Sequence, residues 1–267
     1  MRLLIHKDYD RMCHWTSDYI IKRINDFAPS REKPFVIGLP TGSSPLGVYR
    51  NLITACREKR VSFSQVISFN MDEYLGLPAD HGESYKRFMK DNFFSGIDIL
   101  PENTHILNGM TNDPEAECRA YEEAIKAAGG VEFFMGGIGN NGHIAFNEPG
   151  SSLNSRTRVV TLTSDTRKVN ARFFNNDPEK VPAKALTVGI GTVMDAREVL
   201  ILVSGRQKAR ALQASVEGAL SQWCPLSFLQ MHPKSIIVCD DDAAEELKYG
   251  TVNYFKDIEK PEIIKYS

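Results

Sequence analysis

The stretch VEFFMGGIGNNGHIAFNEPG, Val131 to Gly150, decides the fold. Residues 131–135 form a short apolar run, as a strand buried on both faces requires. The run then breaks into glycine and asparagine. Parallel sheets bind ligands beyond the carboxyl ends of their strands, so a strand that opens into a polar, glycine-rich loop is a candidate site. Gly137, Gly139 and Gly142 also spell G-x-G-x-x-G. A dinucleotide fingerprint needs a helix to open at its last glycine. Here HIAFNEPG follows, and Pro149 and Gly150 stop any long helix. The stretch reads as strand and loop of an α/β protein that does not bind a dinucleotide.

Outward from it, strand and helix patterns alternate. Tyr9, Met12, Trp15, Tyr19, Ile20, Ile24 and Phe27 recur at three- and four-residue spacing, which predicts an amphipathic helix over 8–27. FVIGL (35–39) is an apolar run, and PTGSSP then turns the chain. Leu46, Tyr49, Leu52, Ile53 and Cys56 form the next helix face. VISF (66–69) reads as a strand and leads into NMDEYLGLP. Helices are expected at 82–94 and 114–128, and further strands in EVLILV (198–203) and SIIVCD (235–240). RQKARALQASVEG places Ala209, Leu212 and Val216 on one helix face. Apolar strands separated by helices predict one α/β domain over 1–267. Its sheet is open, mostly parallel and Rossmann-like, with helices on both faces. Residues 156–187 fit this pattern least and are read as an inserted or mobile lid segment.

Composition excludes several classes. With 42% hydrophobic and 25% charged residues, the chain can bury a sizeable core. Its net charge of −2 and lack of a basic block argue against a nucleic-acid partner. No run of about 18 apolar residues is present, so no membrane span is expected. The opening MRLLIHKDYD lacks the apolar core of a signal peptide. The five cysteines contain no C-x-x-C, which suits reduced thiols and a cytoplasmic location.

Four polar loops follow the predicted strands: TGSSP, NMDEY, GGIGNNGH and SGRQK. The small residues of TGSSP let backbone N–H groups approach an anion, with Ser43 and Ser44 as added donors. The alternative is an ordinary turn with a serine cap. Lys208 falls in the first turn of its helix, where a cation gains nothing from the helix dipole; it is either solvated or facing an anion. Asp72 is either a base or a helix cap. His143 and Glu148 have H-x-x-x-x-E spacing, which is not that of a zinc motif, so no metal is expected.

LPTGSSP (39–45), FNMDEYLGL (69–77), GGIGNNGHIAFNEPGSS (136–152), SRTR (155–158), ALTVGIGTVMDA (185–196) and QKA (207–209) together resemble glucosamine-6-phosphate deaminase. The resemblance runs from residue 1 to about 258. It implies conversion of glucosamine 6-phosphate and water into fructose 6-phosphate and ammonium, a hydrolase of amino sugar metabolism and N-acetylglucosamine catabolism. It implies no cofactor and no metal. By the same resemblance, His143 opens the sugar ring, oriented by Glu148 and residue 141, and Asp72 moves a proton from C2 to C1. Gly42, Ser43, Arg172 and Lys208 match phosphate contacts, with Arg172 inside a mobile lid. Ser151, Arg158, Thr161 and Tyr254 match an allosteric site. The chain's length is similar to that of the hexameric branch, so a homo-oligomer is expected.

The chain departs from the family pattern at two positions. Asn141 stands where the family has aspartate, which predicts impaired ring opening. Val160 stands where its allosteric site has lysine, which predicts weak activation by N-acetylglucosamine 6-phosphate. The competing functions are a catalytically impaired sugar-phosphate-binding regulator, or a related sugar-phosphate isomerase or lactonase.

Overall fold

A computed structural model describes residues 1–266; Ser267, the last residue of the expected domain, lies outside the described residues. Ten strands organise the described residues. They are β1 (Arg2–His6), β2 (Phe35–Leu39), β3 (Val66–Asn70), β4 (Asp72–Tyr74), β5 (Thr104–His105), β6 (Phe133–Gly137), β7 (Arg158–Thr161), β8 (Lys184–Thr187), β9 (Val199–Val203) and β10 (Ser235–Asp240). Seven form one sheet in the order β1-β10-β9-β6-β2-β3-β5, and every ladder in it is parallel. β2, β9 and β10 are buried along their whole length, as their unbroken apolar runs predict.

Alternate residues of each strand feed two cores. On one face Ile5, Val36, Phe69, Phe134, Ile201 and Ile237 pack together. Helices α4 (Pro114–Ala127), α6 (Ile190–Met194), α7 (Ala209–Glu217) and α8 (Tyr249–Ile258) contribute to that core. On the other face Leu4, Ile37, Val66, Met135, Leu202 and Val238 meet α1 (Tyr9–Phe27), α2 (Leu46–Arg57) and α3 (Tyr85–Asn92). The strand period of two divides the sheet in this way, and helices cover both faces. Caps set the helix starts. The Asp8 side chain accepts from Arg11 N at 2.9 Å, Ser84 from Arg87 N at 3.0 Å and Asp113 from Ala116 N at 2.9 Å.

The remaining strands form a separate antiparallel sheet, β4-β8-β7, with Asp72 opposite Thr187 and Val160 opposite Ala185. Between β7 and β8 lies a short helix, α5 (Ser164–Asn170), followed by a tight turn at Ala171–Phe173. A small core of Tyr74, Leu77, Phe146, Leu162, Phe174 and Val181 seats this region. The final helix is α9 (Lys260–Ile264). The C-terminal helices are tied to the sheet edge where Arg2 donates twice to Glu259, at 2.8 and 2.7 Å.

Three expectations shift. The strand read at 131–135 runs Phe133–Gly137, because Glu132 N bonds Val36 O and ladder pairing begins beyond it. Asp72 is neither in a loop nor a helix cap: it opens β4. Lys208 lies in a 3-10 turn, Arg206–Lys208, ahead of α7 rather than in an α-helical first turn.

Candidate active site

The four loops picked out by sequence leave four consecutive strands of the sheet, β9, β6, β2 and β3. They therefore meet at one edge, where the chain reverses its direction of winding between β2 and β6.

After β2, Gly42 takes φ +90°, a left-handed conformation with open space where a Cβ would sit. The Tyr9 hydroxyl lies 3.0 Å from Ser44 O, to which it donates, and accepts from Gly47 N at 2.9 Å, fixing this loop to α1. Neither serine caps the following helix: its cap residue is Pro45, with no side-chain hydrogen bond. The Ser44 side chain instead lies beside Gly137, at the end of β6.

Across the rim Lys208 is half-buried, and the charge of Arg172, in the turn after α5, acts on it. Burial first, and the Arg172 charge second, push the Lys208 ammonium down to about 8. Two cations that act on one another, with no carboxylate acting on Lys208, suit an anion.

Asp72 and Glu73 are adjacent, buried carboxylates with different surroundings. Glu73 accepts from Tyr74 N at 2.9 Å and from Tyr85 N and Lys86 N at 3.0 Å each, so it holds the start of α3. Asp72 is 7% exposed and accepts no hydrogen bond from the described residues. Burial, and then the charge of Glu73, push the Asp72 carboxyl up to about 8.

The loop after β6 carries a polar chain. Gly139 N bonds His143 O at 2.8 Å, and a Cβ on Gly139 would lie 2.0 Å from the His143 ring. Only glycine permits that approach. His143 Nδ1 lies 2.7 Å from Asn141 Oδ1, and Asn141 Nδ2 donates to Glu148 Oε2 at 2.7 Å. With the amide so directed, Nδ1 carries the ring hydrogen and Nε2 keeps its lone pair in the neutral ring. Glu148 Oε2 is 3.7 Å from Nδ1, an ionic rather than hydrogen-bonding distance. Its other oxygen accepts from the Thr166 hydroxyl on α5. Burial raises the Glu148 carboxyl, but the contact with His143 and the hydrogen bonds from Thr166 and Asn141 outweigh it and hold the group down to about 2. The loop is secured by Asn147, whose side chain donates to Ile144 O at 2.9 Å and Val188 O at 2.8 Å.

The expected allosteric residues converge only in part. Arg158 donates to Ser151 Oγ at 3.2 Å and to Asn147 Oδ1 at 2.8 Å. Thr161 is exposed at the end of β7, and Val160 packs against the small core. Tyr254, on α8, is 62% exposed with its ring against Phe255; no hydrogen bond joins it to Ser151 or Arg158. Among the described residues no three His, Cys, Asp or Glu side chains gather as a metal site requires, and no helix is long and apolar enough to cross a membrane.

Sequence reasoning missed Thr166, Asn170 and Tyr74. Asn170 Nδ2 donates to the Tyr74 hydroxyl at 2.9 Å, so α5 touches β4 beside Asp72 as well as Glu148. The available signal was the i, i+4 spacing of Thr166 and Asn170 on one helix face.

Residues 7–238 match the family described as glucosamine-6-phosphate isomerases/6-phosphogluconolactonase. The chain is 62% identical over 260 residues to a glucosamine-6-phosphate deaminase of Porphyromonas gingivalis, covering 97% of this chain and 99% of that one. It is 57% identical to the enzyme of the same name from Treponema denticola, covering 98% and 97%. A solved monomeric glucosamine-6-phosphate deaminase superposes with a TM-score of 0.88 at 39% identity, covering 92% of this chain and all of that one. The 6-phosphogluconolactonase of Trypanosoma brucei shares the fold, with a TM-score of 0.72 at 20% identity and coverage of 92% and 98%. These names correct one expectation: the relatives are deaminases and the family is one of isomerases, so the class is not hydrolase.

Proposed function

The chain belongs to the glucosamine-6-phosphate isomerase/6-phosphogluconolactonase family, and from that premise we propose that it converts glucosamine 6-phosphate to fructose 6-phosphate with release of ammonium. The observation that carries this reading is one rim holding two carboxylates in opposite protonation environments. Environments that push two titratable groups apart are those that divide acid and base roles.

The phosphate sits between the Gly42–Ser44 turn, Arg172 and Lys208. This remote binding energy positions the reacting carbons. His143 moves the protons of ring opening through Nε2: one leaves the C1 hydroxyl and one reaches the ring oxygen. Asn141 holds the ring's orientation, and Glu148 supplies the negative charge that steadies imidazolium. Asp72 takes the C2 proton and returns it to C1. Its raised affinity for protons suits this shuttle, and the substrate's C2 ammonium brings a positive charge that favours the carboxylate form. Water adds to the resulting C2 imine, and the C–N bond breaks to give ketone and ammonium.

Asn141 reproduces the geometry of an orienting residue without its charge, so ring opening is the slowed step. Residues 156–187 act as the lid over the site, seated on the Tyr74–Phe174 core. The exposed apolar surface at Trp223, 78% accessible, and at Tyr249 and Met231 supports a homo-oligomer, taken as a hexamer in the cytoplasm.

The deciding experiment incubates the purified chain with glucosamine 6-phosphate and measures ammonia and fructose 6-phosphate in equal amounts. Binding without ammonia would favour the regulator reading, which Asn141 alone supports. No ammonia from glucosamine 6-phosphate, together with conversion of a nitrogen-free aldose phosphate to its ketose, would favour a plain isomerase.

A further inference from the structure

The lid helix α5 and the turn that follows it bear on three parts of the site from one short span. Thr166 bonds Glu148, Asn170 bonds Tyr74 two residues beyond Asp72, and the charge of Arg172 acts on Lys208. Thr166 is 8% exposed, and its hydroxyl is itself fixed. It accepts from Thr163 Oγ1 at 3.1 Å, while Thr163 Oγ1 accepts from Thr166 N at 3.1 Å as the helix cap. With its lone pair engaged by Thr163, the Thr166 hydroxyl directs its hydrogen at Glu148. The proton-bearing atoms then run in one sense, from Thr163 to Thr166 to Glu148 Oε1. From the opposite side, Asn141 donates to Oε2. The carboxylate is thus pinned at both oxygens, one by the loop after β6 and one by the lid.

We propose that Thr166 is a positioning residue for ring opening: it holds Glu148 in place and ties that carboxylate to the helix that leads directly into the turn carrying Arg172. The proposal rests on the deaminase reading above. Its physical content is that phosphate capture and the orientation of the ring-opening pair share one rigid element. A substrate phosphate drawing Arg172 toward Lys208 sets α5, and α5 sets Glu148. A loose Glu148 leaves His143 with its charge partner misplaced, and misplacement of a catalytic constellation by about 1 Å costs on the order of 100-fold.

The test compares Thr166→Val, which keeps the shape and removes the hydroxyl, with Thr166→Ser, which keeps the hydroxyl. Thr166→Val is expected to lower kcat on glucosamine 6-phosphate about 10-fold, with KM within about 2-fold of the parent, while Thr166→Ser stays within about 2-fold in both. Melting temperatures confirm that each variant is folded. The proposal is overturned if the valine variant keeps the parent kcat, if both variants lose activity equally, or if the loss lies wholly in KM. Glu148→Gln is measured alongside. Full activity in Glu148→Gln would strike down the role of Glu148 itself; loss in Glu148→Gln with none in Thr166→Val would strike down only the role of Thr166.

Discussion

Asp72 and Glu148 are carboxylates on the same rim, yet the fold treats them in opposite ways. Glu148 sits in a loop dense with glycine and amide, where donors can turn inward, and it receives hydrogen bonds at both oxygens. Asp72 opens a strand whose donors are committed to β8 and whose neighbour Glu73 has taken the nearby helix N–H groups. Burial without donors raises a carboxyl pKa, whereas burial with donors can lower it. Local backbone geometry, more than residue type, decides which carboxylate keeps its proton.

The largest effect that could break this contrast is at Asp72. Asp72→Asn should lower turnover by about 100-fold or more, because the proposed general base is removed while shape is kept. Exchange of the C2 hydrogen with deuterated water at the parent rate would contradict the assignment. Stability should move the other way. The Asp72 carboxyl is pushed from 3.8 to about 8, so the folded parent loses stability as pH rises through that window, when only the unfolded chain ionises. The asparagine variant should therefore melt higher than the parent, with the gap widening from about pH 4 to about pH 8.

Glu148→Gln sharpens the contrast from the other side. We expect a fall in kcat of about 30-fold, smaller than at Asp72 because His143 keeps its Asn141 partner. Here the carboxyl is held down from 4.5 to about 2, so its contribution is present above about 4.5 and is lost as pH falls toward 2. The glutamine variant should melt below the parent at neutral pH and converge with it near pH 2.

Asn141→Asp comes next, with an expected rise in kcat of about 10-fold, or about 1.4 kcal/mol of barrier. The amide nitrogen it replaces is 2.7 Å from Glu148 Oε2, so two carboxylates would meet there and share a proton at low pH. The gain should therefore appear only as pH rises and both ionise. Equal rates at every pH would mean that Glu148 alone serves His143. The smallest effect concerns Val160, which offers no charge-assisted hydrogen bond to a phosphate. N-acetylglucosamine 6-phosphate should shift the substrate response by less than about 2-fold; a strong leftward shift would show that another cation serves.

The apolar runs at β2, β3, β6, β9 and β10 were legible because strands buried on both faces have little freedom of composition. The four loops could then be grouped before any coordinates. β4, β7 and β8 were not legible: three or four residues each, on a small sheet of mixed exposure, they carry no clear period. That is why Asp72 read as a loop residue and 156–187 as an insert. Thr166 was invisible for another reason: its hydrogen bond to Glu148 joins residues 18 apart through a segment whose course the sequence does not announce.

The loop after β6 also bears on how the protein ages. An asparagine followed by glycine is open to attack by the glycine nitrogen on the side-chain amide, which expels ammonia and leaves aspartate or isoaspartate. In this loop Gly142 N donates to Gly139 O at 3.0 Å, and the Asn141 amide is anchored to His143 and Glu148. Both reactants are held away from the cyclic intermediate, so the conversion must wait for the loop to open locally. The chain guards its own amide against the kind of nitrogen loss that the proposed reaction brings about in a sugar.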